Sequence, residues 1–253
     1  FIISKLNNHL FNYIVLMENE NSFNGEIKIT KGNINTKDDF ILQVEKTYHK
    51  SVIENKQNIN VIIVIKNYLS SIELEKLLVN SSISYCTTTL TKLNLTANNL
   101  TEIPQSFLSL TSMTQLILNN NKITKIDNLS NMILLERLEL RGNKIEVIEN
   151  LDNNKNIKTL TLSSNLIKNI NKDTFPKNDM LIELGLFGNF IGDNSKEDNN
   201  NTILIDTIKI IGKHCPSLQS IYIGGNFISQ INTLKEIIQT YIKNIKTIDG
   251  HNI

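Results

Sequence analysis

The phrase L-x-x-L-x-L-x-x-N-x-L, with Ile or Met standing for Leu at some positions, starts at Leu90, Met113, Leu135, Ile157, Leu181 and Leu218, with a weaker copy at Ile59. Asparagine occupies its ninth position every time: Asn67, Asn98, Asn121, Asn143, Asn165, Asn189 and Asn226. Self-similarity at a fixed period constrains a fold more than local propensity does, because one such unit cannot bury its apolar face alone and must stack on its neighbours. Each L-x-L puts two aliphatic side chains on one face of a short strand and the residue between them on the other. The first and eleventh positions close the same interior, and each buried aliphatic contributes roughly 1.5–3 kcal/mol. The chain must then turn out of the strand with backbone groups still inside. An asparagine amide carries both donors and an acceptor, so a stacked column of them can satisfy those groups.

The spacing of the copies sets what lies on the other side of the core. Starts at 90, 113, 135, 157 and 181 give steps of 23, 22, 22 and 24 residues, room for a 3-10 turn or a brief extended segment only. The Leu181 unit runs 37 residues and holds a polar loop at 192–201, followed by "TILIDTIKIIGKH", which reads as a helix. The Ile59 unit runs 31 residues, and its Ser70-x-x-Glu73 matches a capping box, so a strand–helix unit is expected there. The whole is an α/β stack of parallel strands. Residues 1–58 read as an N-terminal cap or divergent repeats, 59–244 as the repeats and 245–253 as a closing half-repeat. In "FIISKLNNHLFNYIVLM", Ile3, Leu6, Leu10, Ile14 and Met17 share one helical stripe, which suggests a capping helix. "GEIKITKGNI" suggests a strand and turn, and Phe40, Val44, Tyr48 and Val52 an amphipathic helix.

Catalysis finds little in this chain. It has no Gly-rich phosphate loop, no HExxH and no GxSxG turn. His9, His49, His214 and His251 are scattered and read as surface or structural; Cys215, beside His214 in "HCPSL", reads as a small buried residue between a helix and a strand. No catalytic residue, metal site or cofactor is expected. Cys86 and Cys215 lack CxxC partners, which argues against a disulfide framework and for a reducing compartment. Basic and acidic residues, 26 and 25, nearly cancel, so neither nucleic acid nor an anionic membrane is an expected direct partner. No apolar run reaches a membrane span. Phe1 is not an initiating methionine, and the chain reads as a fragment. Five N-x-S/T triplets (Asn80, Asn94, Asn99, Asn128, Asn200) match the number that chance produces in so asparagine-rich a chain.

The third, fifth and seventh residues of each copy point away from the core. Those expected to meet a partner are Asn94, Ile117, Arg137, Glu139, Arg141, Thr161, Glu183, Phe187 and Tyr222, since aromatic residues and Arg concentrate at interface hot spots.

The repeated phrase is identified as that of the leucine-rich repeat family, in its intracellular 22-residue form. The resemblance implies a right-handed curved ribbon, a solenoid with its parallel β-sheet on the concave face and short helices or 3-10 turns on the convex face. "YIKNIKTIDGHNI" from Tyr241 resembles the C-terminal cap of intracellular members, which implies cytoplasm or nucleus. "KIEVIENLDNNKNIKTLTLSSNLIKNI" from Lys144 and the ending from Leu218 resemble the leucine-rich repeat regulatory subunits of type-1 protein phosphatase. That resemblance implies a non-catalytic adaptor, a monomer or one subunit of a hetero-complex, that grips a Ser/Thr phosphatase catalytic subunit. Tyr222 would match an aromatic contact and Glu183 an acidic one, whereas Thr161 and Gly185 differ from the acidic residue and Trp of that family. "IDGHNI" also resembles the cap of messenger-RNA export receptors, and spliceosomal A-prime and axonemal light-chain proteins share the repeat type. A ribonucleoprotein or cytoskeletal adaptor is the alternative implied.

Overall fold

The computed structural model describes residues 13–17, 61–65, 70–72, 75, 90–192, 202–230 and 233–253. Of the features anticipated above, 1–12, the segments around "GEIKITKGNI" and Phe40–Val52, Asn67, Glu73, Asn80, Cys86 and 193–201 lie outside these residues.

Among the described residues ten strands form one sheet in chain order: β1 Tyr13–Met17, β2 Val61–Ile65, β3 Lys92–Asn94, β4 Gln115–Ile117, β5 Arg137–Glu139, β6 Thr159–Thr161, β7 Glu183–Gly185, β8 Ser220–Tyr222, β9 Thr247–Ile248 and β10 His251–Asn252. β2 through β9 pair in parallel, while β1 and β10 are antiparallel to their neighbours at the two ends. The register follows repeat position: Lys92, Gln115, Arg137, Thr159, Glu183, Ser220 and Thr247 lie side by side, as do Leu93, Leu116, Leu138, Leu160, Leu184, Ile221 and Ile248. Steps of 22 and 37 residues therefore give the same strand alignment; the extra chain is absorbed elsewhere.

The N-terminal expectation is corrected at one point. Tyr13–Met17, which holds Ile14 and Met17 of the supposed helical stripe, is an edge strand paired residue for residue with Val61–Ile65. A short, continuous apolar run reads equally as strand or helix by periodicity, and here Tyr, Ile and Val favour the pleated partner.

In β3 through β8 the middle residue of the strand and both aliphatics after it are buried, and they belong to one continuous core from Leu90 to Ile242. The amide at the sixth position donates to the fifth-position carbonyl of the following repeat, as from Leu118 to Glu139 (2.8 Å) and from Leu140 to Thr161 (2.8 Å). The eighth position donates likewise to the next seventh position, as from Gly142 to Ser163 (2.9 Å). That eighth residue is left-handed in all six described repeats: Ala97, Asn120, Gly142, Ser164, Gly188 and Gly225 have φ between 55° and 69°. The turn inward that delivers the ninth-position asparagine requires this conformation.

The asparagines form the expected column. Asn143 Nδ2 donates to the carbonyls of Leu140 (2.9 Å) in its own repeat and Leu118 (3.0 Å) in the one before, and its Oδ1 accepts from Ile123 N (3.0 Å). Asn121, Asn165 and Asn226 repeat this set, with acceptances from Leu100, Ile145 and Ile191; Asn189 does so with Leu186, Leu162 and Ile167. Asn98 begins the column with a bond to Leu95 O (2.8 Å). Each sixth-position carbonyl from Leu95 to Leu186 thus receives two amides, one from each of two adjacent repeats. The column ties every repeat to the next.

On the other side of the core a 3-10 turn, Gln105–Ser109, buries Phe107, and the Met113, Leu135 and Ile157 repeats cross with turns alone. The long fifth unit carries α1, Thr202–His214, with Leu204, Ile208 and Ile211 buried; α2, Leu234–Tyr241, packs beside it. A side chain at Gly212 would collide with Tyr241 O, so that glycine permits the close helix approach. At the C-terminus the Asp249–Gly250 turn reverses β9 into β10, with φ of 51° and 82° suited to a two-residue hairpin turn. Asp249 Oδ1 accepts from Ile223 N (2.7 Å) and Gly224 N (2.9 Å). A side-chain carboxylate stands where a further strand's fifth-position carbonyl would have continued the ladder.

Candidate functional site

The parallel register turns the outward residues into a grid, with repeats about 4.8 Å apart and alternate residues of a strand roughly 6.7 Å apart. Asn94, Ile117, Glu139, Thr161, Gly185 and Tyr222 form the middle line of this grid. All of the outward residues named from the sequence lie on it, at one face of one sheet.

Their chemistry differs sharply from one repeat to the next. Asn94 is spent locally: its Oδ1 accepts from Thr96 N (3.0 Å) and Thr96 Oγ1 (2.7 Å). Ile117 is half-buried between its neighbours. Glu139 has both oxygens engaged, one by Arg137 Nε (2.6 Å) and the other by Asn119 Nδ2 (2.6 Å). The other end of the Asn119 amide accepts from Arg141 N (2.8 Å). Glu139 therefore holds a local network together. Arg141 is exposed and its guanidinium makes no ion pair among the described residues.

The next repeat contributes only small hydroxyl side chains, Thr159, Thr161 and Ser163, and the one after has Gly185 on the same line as Thr161. Ser163, anticipated on the open face, is 9% exposed. A Cβ at Gly185 would stand 3.1 Å from Thr161 Cγ2 and 3.2 Å from Ser163 Oγ, so both side chains pack close to the backbone of that buried glycine. Beyond lie Phe187, 51% exposed, and half-buried Tyr222. The Phe187 ring lies over Gly224 and Gly225 of the next repeat; a Cβ at Gly224 would stand 3.2 Å from its Cε2. Glu183, half-buried, borders the same area.

Away from the sheet face, the His214–Cys215 pair is structural. His214 is buried with Nδ1 3.0 Å from Phe175 O, and its carbonyl accepts from Asn178 N (2.8 Å). Cys215 is a free, buried cysteine whose thiol is pushed up to about 12, chiefly by burial, with a lowering hydrogen bond from the Asn178 backbone and a raising contribution from Asp179. Such a thiol keeps its proton near neutrality and is no nucleophile. Among the described residues no His, Cys, Asp and Glu cluster has the makings of a metal site, and no helix is long and apolar enough to cross a membrane.

A second set of asparagines escaped the sequence reading. Three residues before each repeat start stands a buried column of Leu110, Met132, Asn154, Asn178, Cys215 and Ile242. Asn154 Nδ2 donates to Leu129 O (2.9 Å) and Met132 O (3.0 Å), and Asn178 Nδ2 to Ile157 O (3.0 Å). Asn128 and Asn150, both left-handed, donate to Ile103 O (2.7 Å) and Ile126 O (2.8 Å). Their recurrence at about one repeat length was the available signal, masked by the abundance of asparagine.

Residues 88–145 match the family described as leucine rich repeat. No curated protein matches the chain. Among solved structures, an internalin from Listeria monocytogenes is similar with a TM-score of 0.51 and 23% identity, over 66% of this chain and 43% of that one. A leucine-rich repeat protein of Leptospira interrogans gives 0.50 and 21%, over 75% and 48%. A chain of the Drosophila melanogaster SNF/U2A' complex gives 0.43 and 22%, over 55% and 74%. The chain spans under half the length of the first two. With the eight-stranded parallel run and its asparagine column, the match over residues 88–145 and the internalin likeness show that the described repeats have a leucine-rich repeat solenoid fold.

Proposed function

We propose that the chain is a non-catalytic adaptor whose outward sheet face docks another protein, as a monomer or as one subunit of a hetero-complex. Leucine-rich repeat domains are in general protein-interaction modules, and no enzyme family is indicated. The observation that carries this reading is the grouping of an unpaired Arg141 with an exposed Phe187 and half-buried Tyr222 around small residues, the residue types that dominate interface energetics. A reducing compartment, cytoplasm or nucleus, belongs to the same reading and is supported by the free thiol of Cys215. For the partner, the finer reading is a Ser/Thr phosphatase catalytic subunit. It is supported by the wording of the 144–170 segment and by Tyr222 and Glu183 lying on the face.

The test is site-specific photo-cross-linking in native lysate. A photoreactive residue at Thr161 should give a discrete protein adduct, and one at Asn150, on the other side of the core, should not. Adducts at Asn150 alone would overturn the docking face. A phosphatase catalytic subunit in the Thr161 adduct supports the finer reading, and a different protein there refutes it while leaving the face intact.

A further inference from the structure

The small-residue repeat lies between two taller neighbours. On one side stand Arg137, Glu139 and Arg141; on the other stand Phe187 and, past Gly185, Tyr222. Arg141 and Phe187 are two repeats apart, about 10 Å, and the trough between them runs four residues along the strand direction, about 13 Å. Those dimensions accommodate one extended backbone and exclude a helix with its side chains, which needs about 10–12 Å of clear width.

The lining is unsatisfied. The hydroxyls of half-buried Thr159 and Thr161 bond no other residue among the described ones, and they can donate to or accept from an extended backbone. The charges are asymmetric. Glu139 is paired with Arg137 and hydrogen-bonded by Asn119, whereas Arg141 at one end and the Glu183 carboxylate bordering the other make no ion pair among the described residues. One guanidinium with a carboxylate at the far end is a poor cradle for a nucleic-acid backbone, which requires several cations in a row.

We propose that this trough receives an extended segment of a partner protein, with an Asp or Glu on Arg141 and an aromatic or aliphatic side chain against the exposed Phe187 ring. The assignment rests on the docking-face reading and adds the chemistry of the occupant. Arg141 binds the carboxylate, the half-buried Thr159 and Thr161 hold the backbone, and the exposed Phe187 ring packs on the apolar side chain.

The test uses phage-displayed random twelve-residue peptides selected on the full chain. The wild-type pool should be enriched in Asp or Glu close to an aromatic or aliphatic residue. Arg141→Glu, an exposed change that leaves the core untouched, should weaken that pool about tenfold or more and shift fresh selection toward Lys and Arg. Thr161→Arg, which fills the trough, should abolish capture. An acidic pool unaffected by Arg141→Glu, or no enrichment over a support lacking the chain, would overturn the inference. If lysate proteins still cross-link at Thr161 in that case, the docking face survives and only its occupant is wrong; if they do not, both fall.

Discussion

Asn143 and Asn154 are both buried and eleven residues apart, yet they do different work. Asn143 is 7% exposed and uses both ends of its amide, bonding backbone in its own repeat and in the one before. Asn154 is fully buried and uses one end: its Nδ2 donates to Leu129 and Met132, while its Oδ1 has no hydrogen-bond partner. The sheet-side column recurs with the same bonds in repeat after repeat, whereas the opposite column is Leu or Met above Asn154 and Cys or Ile below Asn178. Burial alone thus says little about why an amide is present. The bonds that it completes decide.

The largest effect should follow from breaking the sheet-side column. Asn143→Leu strands the Ile123 amide and removes a donor from two buried carbonyls, at about 1–3 kcal/mol for each group left unpaired. A loss of about 3 kcal/mol in urea unfolding is expected, despite the added apolar surface; an unchanged midpoint would contradict it. Asn154→Met is the sharper half of the comparison. It copies the residue one repeat earlier, loses two donated bonds and removes an orphaned acceptor, so a change of about 1 kcal/mol or less is expected. Equal losses for the two variants would erase the distinction.

Smaller effects test the turn that feeds the column. Gly188→Ala, at φ of 67°, should cost about 1 kcal/mol, and Ala97→Gly, at φ of 59°, should gain about 0.5 kcal/mol. Near neutrality the smallest effect is at Cys215, in the opposite column. Its folded-state value lies above the ordinary 9.0, so the folded thiol keeps its proton where the unfolded one ionises. Stability is intact below pH 9 and falls as pH rises from there toward 12. Cys215→Ala should therefore match wild type in slope below about pH 8 and lose less stability by about pH 10; parallel curves would show that burial at Cys215 does not act on the thiol.

The legible part of this architecture was the part written in one residue type at one position. Asn98 through Asn226 recur in phase with the aliphatics, and the position parity that buries Leu138 and Leu140 also exposes Arg137 and Arg141. The opposite column mixes Leu, Met, Asn and Cys, so no pattern of type announces it. Tyr13–Met17 was misread because five apolar residues carry no period of their own, and their partner lies 44 or more residues away. On the sheet face, direction was readable but availability was not. Glu139 looked like a contact residue, and its engagement by Asn119 becomes visible only when repeats 20 residues apart in sequence are laid side by side.

Amide hydrogen exchange at Ile123, Ile145, Ile167 and Ile191 measures the bond between repeats one at a time, because each of these amides donates to an asparagine of the following repeat. All four should exchange only through global unfolding, with protection matching the full unfolding free energy. Exchange at the rate of surface turns, with the molecule folded, would mean that the asparagines do not join the repeats.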